Sequence, residues 1–279
     1  MAAPSRQTTG KEPMDKTTVL EPELQAACAD GDLEALKAIL SRKKEADPAH
    51  AVAWSAIMYV AASKDDTRIM SYCLDEGADV TAEVVRVIWV CKSKQTYTLI
   101  LDRKRVDVNY YIPWVGDILG DSATEDNIEW VELCLRHGAD PNKNLCNDQH
   151  MSVLAAVAEQ ASLEMAKILV KAGAKVKGSG CIVMAAQEGK LDMVRFFLEK
   201  GADINEVGIA HPQDVRYEED MGTALHRAVF GGHGDVVRFL VDHGADPNIE
   251  DPKGRKALDV ARATGNAEMS DFLKSRGAL

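Results

Sequence analysis

The stretch GTALHRAVFGGHGDVVRFLVDHGADPN, residues 222–248, decides the fold of this chain. Its apolar positions Ala224, Leu225, Ala228 and Val229 return at helical spacing and form one stripe of a first helix. Thr223 stands where a hydroxyl caps a helix start. Gly231-Gly232 breaks the run, and Asp235 puts an acid near the positive end of a second helix. Val236, Val237, Phe239, Leu240 and Val241 give that helix a wide apolar face, and Gly244 ends it, as a residue free to take positive φ should. Isolated helices of this length are marginal in water. The pair must bury its faces against neighbours of the same kind.

Such neighbours are present. Gly-Ala-Asp recurs at 77–79, 138–140, 201–203 and 244–246, with a variant at Gly173-Ala174-Lys175, each copy after an apolar run. The glycines at 138, 173 and 201 are 35 and 28 residues apart, and Gly77 lies 61 before Gly138, room for two units. A period of roughly 30 to 35 residues marks a stacked solenoid. Residues 179–205 and 152–176 match well. In 118–142 the second half, with Trp130, Val131, Leu133, Cys134 and Leu135, is the sound one, and 57–80 keeps Ala61-Ala62 and Ile69-Met70. The poorest stretch is 82–109, where Lys104-Arg105 stands in place of Gly-Ala. At the ends, 24–40 and 257–273 have the right offsets but more charge, as the outer units of a finite stack require.

Thr223-Ala224-Leu225-His226-Arg227-Ala228 resembles the Thr-Pro-Leu-His-x-Ala signature of ankyrin repeats, whose period is about 33. Gly232-His233 and Gly244-Ala245-Asp246-Pro247-Asn248 resemble two further stretches of that pattern. The resemblance covers roughly 23–279 and implies an all-α ankyrin-repeat solenoid of about eight helix-turn-helix units, five of them regular, with hairpin-like connecting fingers. Residues 1–22 are polar and Pro-containing, lack the apolar segment of a signal peptide, and read as a disordered tail. Residues 82–113 read as a divergent unit and 206–221 as an inserted loop.

Composition narrows the choice of partner. A formal charge of −11 opposes attraction to nucleic acid or anionic membranes, so the expected partner is a protein with a basic or mixed-charge surface. No stretch approaches the ~20 apolar residues that cross a bilayer. Six cysteines without Cys-x-x-Cys spacing suit a reducing compartment, and Cys28, Cys73 and Cys134 read as small buried hydrophobes. The expected setting is cytoplasmic or nuclear, with the chain a monomer by itself.

The histidines invite a metal reading, but His226 and His233 fall where ankyrin units use histidine for turn and inter-unit hydrogen bonds. His137 and His243 precede helix-ending glycines, near a negative helix end. No zinc-ligand spacing appears, no phosphate-cradling or hydrolase motif is present, and no cofactor is expected. The departure from the array is the segment EVGIAHPQDVRYEEDM at 206–221, about ten residues longer than the gap after Asn248. It is either a tolerated insertion or a partner-gripping finger carrying His211, Asp214, Arg216, Tyr217, Glu218 and Glu219. A catalytic His211 paired with Asp214 or the Glu pair is the outside reading.

The leading functional reading is a non-enzymatic protein-recognition scaffold. The resemblance implies that a partner lies along the concave groove of hairpin tips and first helices. Mapped onto it, the variable positions are Asp121, Gln149, Met184, Arg227 and Phe230, and Tyr111 and Trp114 in a connection are candidate interface anchors. The alternatives are an enzyme or small-ligand protein with its site in 82–130 or 206–221, and an ankyrin-type transcriptional coregulator. The first 22 residues, with only Arg6, Lys11 and Lys16, are too weakly basic to bind DNA alone. The repeat assignment is testable at Gly201→Val: a β-branched residue resists positive φ, so thermal unfolding should show a clear loss of stability. An unchanged melting temperature would refute the assignment there.

Overall fold

The computed structural model describes residues 20–111, 116–146, 151–208 and 222–279. These form two compact units, one up to Asp107 and one from Val108. The first contains three helix pairs: α1 (Pro22–Asp30) with α2 (Leu33–Ala46), α3 (Trp54–Ser63) with α4 (Thr67–Asp75), and α5 (Ala82–Val90) with α6 (Lys94–Asp102). The second contains five: α7 (Ile118–Thr124) with α8 (Ile128–Arg136), α9 (Val153–Gln160) with α10 (Leu163–Lys171), and α11 (Cys181–Gln187) with α12 (Leu191–Glu199). It ends with α13 (Ala224–Phe230) and α14 (Gly234–Asp242), then α15 (Ala257–Ala263) and α16 (Ala267–Ser275). The helix-turn-helix solenoid expected from the sequence is what forms. One connecting finger is a true hairpin, β1 (Leu145–Cys146) paired antiparallel with β2 (Met151–Ser152). Residues 1–19 of the expected tail lie outside the described residues, while Leu20 is buried and Pro22 begins α1, so the array starts earlier than 23.

Within each unit, first helices pack on first helices: α1 on α3 on α5, and α7 on α9 on α11 on α13 on α15. That row accounts for the small buried residues. Ala155, Ala158, Ala185, Ala186, Ala224, Ala228, Ala257 and Ala261 allow close approach, and Leu154, Ile182, Leu225 and Leu258 fill between them. Where the small-residue pattern lapses, larger rings fill the space: Trp89, Tyr97 and Trp130 are buried. On the second helices of the last three pairs, Arg195 lies over the Phe239 ring at 4.3 Å, and Arg238 lies over Phe272 at 5.0 Å. Arg238 also donates to Glu268. Each cation thus reaches forward onto the next pair.

The turn that closes each pair needs left-handed backbone. Gly138, Gly173, Gly201 and Gly244 supply it, Gly201 with φ +92. In the divergent unit Lys104 takes the same region at φ +50, so the unit is built despite the missing glycine. Arg105 then donates to the Leu74 carbonyl at 3.0 Å, tying that turn to the preceding pair. Between the helices of a pair, Asp65 and Asp126 adopt positive φ where other pairs have glycine. Their carboxylates add a second role. Asp65 accepts from Thr96 N–H at 2.7 Å and Asp126 from Ser162 Oγ at 2.7 Å, so each caps the second helix of the following pair.

The repeated Asp and Asn after each closing turn are a ladder. Asp140, Asp203 and Asp246 each accept from the N–H two residues on, that of Asn142, Asn205 and Asn248. The asparagines so held reach the next pair. Asn109 accepts from Asp140 N–H (2.8 Å), Asn142 from Lys175 N–H (2.8 Å), Asn205 from Asp246 N–H (2.9 Å) and Asn248 from Leu279 N–H (3.0 Å). Asn142 also donates to Gly173 O at 2.9 Å. Lys177 occupies one rung, and there the bond runs backwards: Glu206 accepts from Gly178 N–H and Gly180 N–H, each at 3.0 Å. Asn142→Ala removes two such bonds at an exposed site and should cost about 1–2 kcal/mol in urea unfolding. No change in the midpoint would show that the ladder is ornamental.

Candidate interaction face

The first helices end in a common register. Counting back from the turn that follows each one, Thr124-Glu125, Glu159-Gln160, Gln187-Glu188 and Phe230-Gly231 occupy equivalent places on α7, α9, α11 and α13. Two contacts show these ends to be neighbours. Arg227 Nε donates to Gln187 Oε1 at 3.0 Å, joining α13 to α11. Lys190 Nζ donates to the carbonyls of Glu159 (2.8 Å) and Ala161 (2.9 Å), joining the α11–α12 turn to α9. Ala161, at φ −111, makes no left-handed turn, so the lysine takes over part of the capping of α9. Burial holds the Lys190 ammonium below its usual pKa, while Glu188, Asp126 and Glu159 act against that.

Phe230 stands out at 56% exposed, with Arg227 stacked over its ring at 5.1 Å. A phenyl ring left in water beside a positioned guanidinium is a ready interface anchor. Asp121, Met184 and Arg227 share one helical register, one turn earlier than Phe230. Asp121 and Arg227 are half-buried. Met184 is 4% exposed, which corrects its expected place among groove-facing residues: packing of α11 against α9 and α13 covers it. Tyr111 is 44% exposed beside Tyr110. Gln149, Trp114, and His211, Asp214, Arg216, Tyr217, Glu218 and Glu219 lie outside the described residues.

The root of the long 206–221 loop is built by residues that periodicity alone does not single out. Val207 bridges Thr223, and Gly208 N–H donates to Gly222 O at 3.0 Å. Glu206 anchors one side on Gly178 and Gly180, and burial pushes its carboxyl above the usual range. His226 anchors the other. Its Nδ1 accepts from Thr223 N–H at 3.2 Å, so Nε2 carries the proton and donates to Arg255 O at 3.0 Å. Arg255 in turn donates to buried Asp251 at 2.7 Å. Burial raises the Asp251 carboxyl, but the Arg255 N–H and guanidinium outweigh it and hold the group below its ordinary value. Three successive fingers are thereby bonded together. His233, as expected, bridges pairs by bonding Gln187 O at 2.8 Å.

The described clefts are shallow and open to solvent. One of them, about 600 Å³, is lined by Ser162, Leu163, Lys190, Asp192, Met193 and Asp235 among others. Among the described residues no three His, Cys, Asp or Glu side chains converge as a metal site, and no helix is long and apolar enough to cross a membrane. Cys28, Cys73, Cys134 and Cys181 are buried, and burial pushes the Cys73 and Cys181 thiols up to about 12.

Family models described as "Ankyrin repeats (3 copies)" and "Ankyrin repeats (many copies)" match residues 119–207 and 182–241. The chain is 26% identical over 269 residues to the ankyrin repeat and KH domain-containing protein mask-1 of Caenorhabditis elegans, covering 91% of this chain and 10% of that protein. It is 29% identical over 134 residues to the NF-kappa-B inhibitor cactus of Drosophila melanogaster, covering 47% of this chain and 23% of that one. With the palmitoyltransferase ZDHHC13 of Homo sapiens it shares 33% identity over 103 residues, 35% of this chain and 15% of that enzyme. The chain therefore corresponds to a minor part of each of these relatives.

Burial holds the His226 pKa down, despite its bond to Arg255 O and the nearby Asp251. A group depressed in the fold takes its proton first in the unfolded chain. Its stabilising share is therefore intact above the ordinary histidine value and fades as pH falls through the folded one. Urea midpoints measured downward from pH 7.5 should drop more steeply for the natural chain than for His226→Gln. Parallel slopes would contradict the buried neutral imidazole.

Proposed function

Because this chain belongs to the ankyrin-repeat family, we propose that it is a non-enzymatic adaptor holding a partner protein across the ends of its first helices. Ankyrin repeats are protein-interaction modules. The observation that carries the reading here is Phe230, exposed on α13 while its ring is steadied by Arg227, which is itself bonded to Gln187 on the preceding pair. The rigidity of a stacked frame lowers the ordering cost of binding. A basic or mixed-charge partner surface is favoured by the second unit, where 27 acidic side chains face 18 basic ones between 108 and 279. Cactus is named an inhibitor of NF-kappa-B, and an action exerted by holding another protein is the role proposed for this chain. The similarity to a palmitoyltransferase covers 15% of that enzyme. A cytoplasmic or nuclear setting accords with the buried free thiols of Cys28, Cys73 and Cys181.

Affinity capture with quantitative mass spectrometry tests the proposal, using the natural chain, Phe230→Ala and an outer-face variant, Glu199→Ala. Truncating a surface ring changes stability by no more than about 0.5 kcal/mol, whereas losing an interface anchor weakens binding by about 2 kcal/mol or more, roughly 30-fold. Proteins retained by the natural chain and by Glu199→Ala but lost with Phe230→Ala are the expected result. Identical captures for all three would overturn the proposed face.

A further inference from the structure

Resting on the face proposed above, we infer that Gln187 is its positioning residue: by holding Arg227 it sets the pose of the Phe230 ring before a partner arrives. Some bonds between pairs repeat along the array, and one does not. His233 Nε2 meets the Gln187 carbonyl at 2.8 Å, and one pair earlier Lys190 Nζ meets the Glu159 carbonyl at 2.8 Å. Each ties the turn of one pair to the end of the preceding first helix, so this bond belongs to the frame. The bond from Arg227 to the Gln187 side chain has no such parallel. In the register of Arg227, the other first helices of the second unit carry Asp121, Ala156, Met184 and Val260. An apolar side chain or a carboxylate has no donor to offer a neighbour. The frame is built without this contact elsewhere, and it occurs where an aromatic ring is left in water.

Gln187 is itself firmly placed. The His233 ring lies against Gly189 and Gly231, where an added Cβ would come within 2.4 and 2.5 Å of it. That wedge, with the bond to its carbonyl, holds the Gln187 main chain at the end of α11. Its amide then has a partner on each side. Nε2 donates to Glu188 Oε1 at 3.1 Å, and Oε1 accepts from Arg227 Nε at 3.0 Å and also from Arg227 Nη2. Bonds from a charged donor are the stronger kind. The guanidinium so gripped lies 5.1 Å from the centre of the Phe230 ring, which is 56% exposed. A surface arginine without that grip samples many rotamers, and the ring loses its support. Ordering the ring in advance lowers what a partner must spend on binding.

The test reads the ring directly, by side-chain NMR relaxation with isotope-labelled phenylalanine. The chain has five phenylalanines, and the Phe230 signal is the one lost in Phe230→Ala. In Gln187→Leu, and in Arg227→Met, which cuts the same link from the other end, the ring order parameter should fall from the rigid range to below about 0.6. Gln187→Glu keeps an acceptor for Arg227 and should restore it. The same variants then serve as bait for the proteins whose retention needs Phe230. Gln187→Leu should weaken retention about 5-fold and Gln187→Glu less than about 2-fold. In the Phe230→Ala background, measured at raised bait concentration, Gln187→Leu should add nothing, because the two residues act as one unit. Unchanged ring order in both Gln187→Leu and Arg227→Met, or an undiminished further loss in the Phe230→Ala background, would overturn the inference. If Phe230→Ala still releases captured proteins in that case, the adaptor reading stands. If Phe230→Ala releases none, the proposed face falls, and the positioning role with it.

Discussion

A helix of seven to ten residues does not hold together alone in water, and among the described residues all helices but α2 are that short. Everything else in the structure answers that constraint. Apolar stripes on the first helices, small residues where those helices touch, and left-handed turns that fold the second helix back all serve to bury one pair against the next. The polar bonds follow the same logic. Asn142, Asn205 and Asn248, Asp65 and Asp126, and Lys190 each satisfy backbone groups on a neighbouring pair. Isolated pairs would lose these bonds together with their core.

A fold that stabilises itself through nearest neighbours leaves its surface free to vary. Positions facing the core of the row are held to small and aliphatic residues, Ala, Leu, Ile, Val and Met among them, while the helix ends run through Thr, Glu, Gln and Phe without harm to packing. Function is therefore sought on those ends, where rigid placement is inherited from the frame. Cation–π contacts of Arg195 and Arg238 on the second helices stiffen the last pairs without occupying that face.

Much of this is legible in the residues themselves. The Gly-Ala-Asp spacing and the apolar stripes give the helix pairs, and the place of His226 and His233 as bonding residues follows from the signature they sit in. What the pattern hides is substitution by conformation. Lys104 takes a left-handed turn that its identity does not advertise, because the surrounding bonds, Arg105 to Leu74 among them, hold it there. Met184 reads as a variable surface slot and is buried, since exposure depends on how closely α9 and α13 approach α11. Glu206 and Lys190 act on backbone groups 26 to 31 residues away, distances that no local pattern encodes.

The central claim is that this chain acts through the solvent-facing ends of its first helices. Hydrogen–deuterium exchange of the chain alone and with a captured partner tests it most directly. The account predicts slowed exchange at the C-terminal turns of α7, α9, α11 and α13, with the outer helices α8, α10 and α12 unchanged. Protection confined to the outer helices, or to one of the clefts between them, would contradict it.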